Sequence, residues 1–187
     1  MWAQDVALTP LPEPNKPAYL RDLIADAEEK GAKVVNAFGK QENGPFVRPS
    51  VLYPCDVSMR VWTEEQFGPL IPVGVFDTVR DIYGYLDEST FGQQAAIFTS
   101  DPVKYGPLID ALANNVGRVN VNAQCQRGPD SFPFTGRKSS ALGTLSVSEA
   151  LKTVSIESVV STKDAPKSQE AFRALAESPK CNVVSLA

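Results

Sequence analysis

The chain has 187 residues, of which 43% are apolar and 21% charged, so it can bury a core and is no disordered tail. Its net charge of −4 and sequence pI of 4.9 lack the basic field that a nucleic-acid surface needs. There is no histidine, which removes His general bases, Ser-His and Cys-His pairs and His metal sites together. The cysteines, Cys55, Cys125 and Cys181, stand far apart with no C-x-x-C pair, so neither a zinc nor a redox motif is supported. Such sparse cysteine usage fits a reducing, cytoplasmic setting. No apolar stretch is long enough to cross a membrane, and the first residues carry no signal-peptide pattern.

In chain order, Pro10, Pro12 and Pro14 make the lead-in extended. Asn15 is placed to cap a helix from Lys16 or Pro17, and Leu20, Leu23, Ile24 and Ala27 give it one apolar stripe. Gly31 ends that helix. Lys33–Asn36 and Phe46–Tyr53 read as short strands of a hairpin around a Gly-rich turn. Met59–Trp62 reads as extended. The hexapeptide Glu64-Glu65-Gln66-Phe67-Gly68-Pro69 follows, and its Gly-Pro break bends the chain at the mouth of a strand, Leu70–Phe76. Pro72 puts that strand at an edge. The bend leaves Glu65 and Phe67 on a short loop at the strand's edge, a position suited to ligand contacts. An ordinary loop with a solvated acid pair and a core Phe is the plainer reading.

Asp77 is placed to cap a helix marked by Val79, Ile82, Tyr83 and Leu86. Ala95–Thr99 is a strand, Tyr105–Leu112 a helix, and Arg118–Asn122 a strand. This alternation predicts βαβ units on a parallel sheet. Residues 123–142 lose periodicity, and a long irregular stretch inside a domain usually serves function. Loops after parallel strands face the ligand crevice. Here Arg127 is a permanent, planar donor for a phosphate or carboxylate; equally, it can pair with Asp130 and fix the loop. Arg137 and Lys138 read as surface charges. Ser146–Glu149 is a capping box for a short helix through Thr153. Val154–Thr162 has high β-propensity, Ser168–Glu177 is weakly helical, and the tail ends in Val183-Val184-Ser185-Leu186.

Together, Glu-Glu-x-Phe-Gly-Pro, the β-α-β-α-β run and Pro133-Phe134-x-Gly136-x-Lys138-x-Ser140 resemble the C-terminal catalytic part of the aldehyde dehydrogenase superfamily. The lead-in Leu8–Glu13 and the first helix fit the same pattern. Arg127-Gly128-Pro129-Asp130-x-Phe132-Pro133-Phe134 is similar to the non-phosphorylating, NADP-dependent glyceraldehyde-3-phosphate dehydrogenase branch. The resemblance covers roughly residues 5–162. It implies an α/β fold: a partial, three-layer catalytic domain with a mostly parallel sheet over residues 1–150, an oligomerisation strand over 151–162, and an unassigned tail over 163–187.

The resemblance also implies roles. Glu65 holds the nicotinamide-side ribose of NADP or NAD, and Phe67 packs beside that ribose and the nicotinamide ring. Arg127 grips the substrate phosphate and Phe134 lines the aldehyde tunnel. Val154–Thr162 extends a sheet into a second subunit, making a homo-oligomer. The family's cysteine nucleophile and glutamate base belong to segments upstream of the matched stretches, so no catalytic role falls on Cys55, Cys125 or Cys181, which read as packed or incidental thiols. The chain by itself is therefore expected to be inactive toward aldehydes. Ala141 departs from a glycine that the family favours. A second class of function, a non-catalytic module that pairs with full-length subunits through Val154–Thr162, stays open beside the enzymatic one.

Overall fold

In the computed structural model, residue 6 and residues 8–181 are described. The elements in chain order are α1 (Lys16–Glu29), β1 (Lys33–Val34), β2 (Glu42–Asn43), β3 (Phe46–Val47), β4 (Ser50–Tyr53), α2 (Arg60–Thr63) and β5 (Leu70–Pro72). Then come α3 (Val79–Glu88), β6 (Phe91–Gly92), β7 (Gln94–Ile97), α4 (Gly106–Asn115) and β8 (Arg118–Val121). β9 (Phe134–Thr135), β10 (Arg137–Lys138), β11 (Thr144–Leu145), α5 (Val147–Thr153) and α6 (Pro166–Ala176) complete the chain. These elements divide into two compact units, residues 1–91 with 101–115, and residues 92–100 with 116–187. The final run Val183–Leu186 lies outside the described residues.

In the first unit, α1 forms where the apolar stripe predicts it. Leu20, Leu23, Ile24 and Ala27 are all buried, and they share one core cluster with Leu52, Met59, Val61 and Leu70. Full burial of a leucine such as Leu23 stabilises by roughly 1.5–3 kcal/mol relative to exposure. Asn15 differs from expectation: its backbone is helical and its side chain makes no cap bond. Lys16 N instead donates to Glu13 O at 3.1 Å, adding a turn ahead of the helix. Gly31, at φ +105°, takes the left-handed conformation that ends the helix without a Cβ penalty.

The sheet of this unit has the order β1-β4-β5, with β1 antiparallel and β5 parallel to β4. β5 is an edge strand, as Pro72 requires. The ladder continues past the proline, because Val73 N donates to Leu52 O at 2.9 Å and Cys55 N donates to Val73 O at 2.8 Å. Met59–Trp62 is not extended: Arg60–Thr63 is helical. Two side-chain contacts explain the turn. Arg60 N donates to Asp26 Oδ2 at 2.9 Å, and Arg60 Nε meets Glu64 Oε1 at 2.6 Å. The cap of α3 is Thr78 and not Asp77. Asp81 Oδ2 accepts from Thr78 N at 2.9 Å and from Asp77 N at 3.1 Å, a reciprocal capping box that one residue's shift would break.

In the second unit, β7 and β8 pair in parallel with the register Gln94↔Arg118 to Ile97↔Val121. The expected parallel pairing is therefore present here, whereas β5 takes its parallel partner from β4. Asn122 closes the end of β8 with φ +51°, its side-chain amide accepting from Thr99 N at 2.8 Å and donating to Thr99 O at 2.9 Å. Gly117 is required for close packing: a Cβ there would stand 2.5 Å from Thr135 O. Ser146 Oγ accepts from Glu149 N at 3.2 Å, so α5 starts at the expected cap. Residues 156–163 have no ladder partner among the described residues and carry no regular structure. β-propensity alone does not make a strand, since each strand needs a hydrogen-bonded neighbour.

Candidate functional site

The hexapeptide Glu64–Pro69 is fastened at alternate positions. Glu64 Oε2 accepts from the Tyr19 hydroxyl at 2.8 Å, and Arg60 closes on the same carboxylate. The Arg60 hydrogen bond first, and the Tyr19 hydroxyl second, hold the Glu64 carboxyl below the usual glutamate range. Burial and the Glu64 contact push the Tyr19 phenol up. Gln66 O accepts from Lys16 Nζ at 3.3 Å, and its side-chain Nε2 donates to Leu70 O at 3.1 Å. Gly68 sits so close to α1 that a Cβ would lie 2.7 Å from Leu20 Cδ2. Pro69 O accepts from Ser50 N at 2.9 Å.

The alternate residues are displayed. Glu65 is exposed and has neither a hydrogen-bond nor an ion-pair partner among the described residues. Phe67 is 74% exposed. Its φ of +44° is a left-handed conformation that costs a non-glycine residue roughly 1 kcal/mol. The plainer reading, with Phe67 folded into the core, does not hold. Chemically, the loop offers a carboxylate whose oxygens are free to accept, next to an open aromatic face. Its anchors on α1 and β4 were not recognisable beforehand; Tyr19 and Lys16 are far away in sequence.

The other two predicted residues belong to the second unit. Arg127 is exposed, with its guanidinium 4.7 Å above the Phe134 ring, so the structure brings this pair together. Arg127 Nη1 also lies 3.4 Å from Asp130 Oδ1, the local pairing that the i,i+3 spacing allows. Asp130 is 83% exposed, and a solvated pair of this kind contributes little and yields easily to a stronger anion. Phe134 is half-buried. Arg137 does more than carry surface charge: its Nε donates to Val116 O at 3.1 Å.

The cysteines divide by environment. Cys55 is buried in the core cluster, and burial pushes its thiol up, away from thiolate formation. Cys125 is exposed and lies 3.7 Å from Asn120 Nδ2. No group of acids and cysteines able to hold a metal occurs among the described residues. Among them, also, no helix is long and apolar enough to cross a membrane. A separate apolar cleft of about 620 Å³ in the first unit is lined by Cys55, Trp62, Gly74, Phe76, Ile82 and Tyr85 among others, and none of the four predicted site residues lines it.

Residues 2–160 match the family model described as "Aldehyde dehydrogenase family". The chain belongs to the aldehyde dehydrogenase family. It is similar to the NADP-dependent glyceraldehyde-3-phosphate dehydrogenase of Streptococcus equinus, with 36% identity over 152 residues, covering 79% of this chain and 31% of that protein. The protein of the same name from Pisum sativum is 32% identical over 147 residues, covering 79% and 29%. Among solved structures, the NADP-dependent glyceraldehyde-3-phosphate dehydrogenase of Bacillus halodurans C-125, complexed with NADP, superposes with a TM-score of 0.73 at 35% identity, covering 79% of this chain and 30% of that one. The chain has the α/β aldehyde dehydrogenase fold over the matched part. It spans somewhat under a third of the length of these relatives.

Proposed function

We propose that this aldehyde dehydrogenase chain supplies one wall of a nicotinamide-cofactor site and one side of an aldehyde site. The reaction is oxidation of an aldehyde to its carboxylic acid. Glyceraldehyde 3-phosphate is the preferred substrate, and NADP or NAD the cofactor. The observation that carries this reading is the alternation in Glu64–Pro69, where Glu64, Gln66 and Gly68 are anchored while Glu65 and Phe67 are presented. A residue held in a strained conformation with its ring in solvent points to a use outside the core.

The displayed pair fits the cofactor. Glu65 is an acceptor-only group that suits the two hydroxyl donors of a ribose. Phe67 offers a flat face beside that ribose and limits its swing. When bound, the nicotinamide takes the hydride from the substrate. Arg127 binds the substrate phosphate, exchanging Asp130 for it, and a charge-assisted contact of this type is worth about 1.5–3 kcal/mol. Phe134 backs Arg127 and borders the path of the aldehyde. No catalytic role falls on the cysteines, given the buried Cys55 and the unmatched surroundings of the other two. The chain alone is expected to give no aldehyde turnover.

The test is titration of the isotope-labelled chain with millimolar NADP, read by backbone amide shifts. Signals of residues 64–68 are expected to move, and to stop moving in Glu65→Ala. Equal shifts in the wild type and in Glu65→Ala would overturn the assignment. A second use is favoured by a separate observation: Val154, Ile156 and Val159 are 83%, 95% and 85% exposed. A run of open apolar residues is a template for pairing with a second copy or a full-length relative. Native mass spectrometry is expected to find such pairs, and Ile156→Asp to remove them. A strictly monomeric chain that forms no mixed species would sink that use.

A further inference from the structure

Unit 2 contains a side-chain network that none of these roles employs. Gln94 opens β7 and Arg118 opens β8, and the parallel register sets them side by side. Both reach the loop that carries Arg127 and hold its backbone. Arg118 Nη1 donates to Gly128 O at 2.7 Å and to Gln126 O at 3.2 Å, the carbonyls immediately after and before Arg127. The Arg118 guanidinium also lies over the Phe132 ring, 5.3 Å from its centre. Gln94 grips Gln126 through both backbone groups, its Nε2 donating to the carbonyl at 3.1 Å and its Oε1 accepting from the N–H at 3.2 Å. Asn120, only 4% exposed, steadies Gln94 by donating to its Oε1 at 3.3 Å and to Ala95 O at 3.1 Å.

Two features set Arg118 apart from an ordinary structural arginine. It has no carboxylate partner among the described residues, so its donors go to neutral carbonyls and its charge stays uncompensated beside the loop. And its two acceptors bracket a single residue, Arg127. Fixing the backbone on both sides removes rotations that a free loop would lose on binding, which is how preorganisation raises affinity. Both carbonyls are met by the one nitrogen Nη1, whose direction is set by the planar guanidinium lying over Phe132, whereas an ammonium on a flexible stem has no such fixed direction.

We propose that Arg118 is a positioning residue for Arg127: it clamps Gln126 and Gly128 so that the Arg127 guanidinium is presented in one orientation to a phosphate-bearing substrate. The proposal rests on the reading of Arg127 as the phosphate grip. The clamp acts through the loop and does not itself touch the substrate.

The experiment uses the full chain with inorganic phosphate and glycerol 3-phosphate as probes. Amide exchange at Gln126 and Phe132 and the binding curve of each probe are measured in Arg118→Met, Arg118→Lys and Arg127→Gln, with circular dichroism as the check on folding. Arg118→Met is expected to speed exchange at both amides and to weaken glycerol 3-phosphate binding, each by roughly tenfold. Arg118→Lys keeps the charge, provides a folded comparison, and is expected to lose nearly as much. Arg127→Gln is expected to abolish binding with exchange unchanged. Unchanged exchange in Arg118→Met, or wild-type affinity despite faster exchange, overturns the proposal, and so does full affinity in Arg118→Lys. Wild-type phosphate binding by Arg127→Gln would instead remove the phosphate reading itself, and the purpose of the clamp with it.

Discussion

Deleting one hydroxyl from α1 separates the fastening acid from the displayed one. Tyr19→Phe removes the O–H that donates to Glu64 Oε2 at 2.8 Å and leaves the ring in place. A hydrogen bond to a charged group contributes about 1.5–3 kcal/mol when shielded. The Glu64 side chain is 36% exposed, so solvent screening reduces the expected loss to roughly 0.5–1.5 kcal/mol. Glu64→Gln removes the charge that serves both Tyr19 and Arg60, and is expected to lose at least as much. The double variant should lose less than the sum of the two, because both changes remove the same contact. Glu65→Gln has no such partner to lose and should stay within about 0.5 kcal/mol of the parent. Urea unfolding followed by Trp62 fluorescence, in a Trp2→Phe background, reads all four variants. Strict additivity of Tyr19→Phe and Glu64→Gln would refute the reasoning, as would a loss in Glu65→Gln equal to that in Glu64→Gln.

Two further outcomes follow from the same geometry. Glu64 has its folded pKa depressed, so its contribution is fully present above the ordinary glutamate value of about 4.3 and is lost as pH falls through the lower folded value. The urea midpoint should therefore drop more steeply on acidification in the parent than in Glu64→Gln; identical acid limbs would contradict this. An aromatic disulfide reagent should modify exposed Cys125 first and reach Cys55, which is 5% exposed, only as urea opens the core. Equal native rates for the two thiols would contradict the burial argument.

What was legible in the sequence was whatever depends on near neighbours. The stripe Leu20, Leu23, Ile24 and Ala27 encodes α1 because each residue repeats one helical face. Gly31 and Pro72 act through their own backbones. The pairing of Arg127 with Asp130 follows from spacing. Contacts between distant residues were hidden. Arg60–Thr63 is helical because Asp26, far back on α1, caps it. The Gly-Pro bend already set Glu65 on the loop, but that Glu64 beside it is fastened depends on Tyr19, which no local spacing reveals. Arg118 looked like any residue at the start of a core strand. Val154–Thr162 has strand-forming residues, but a ladder is a property of two segments.

The two units interleave along the chain: one takes residues 1–91 and 101–115, the other 92–100 and 116–187. The covalent thread therefore changes unit at three places, and α4 belongs to the first unit although β7 before it and β8 after it belong to the second. No single cut can separate the two units with both intact. Truncation after residue 91 would strip the first unit of α4, with its buried Leu108 and Leu112, and a start at residue 92 would carry that helix away from the rest of its unit. Every single cut leaves at least one unit incomplete, so dissection of this chain by excision would report on damage to that unit as well as on the separation. Point substitutions that leave the thread whole are the way to assign work to each unit.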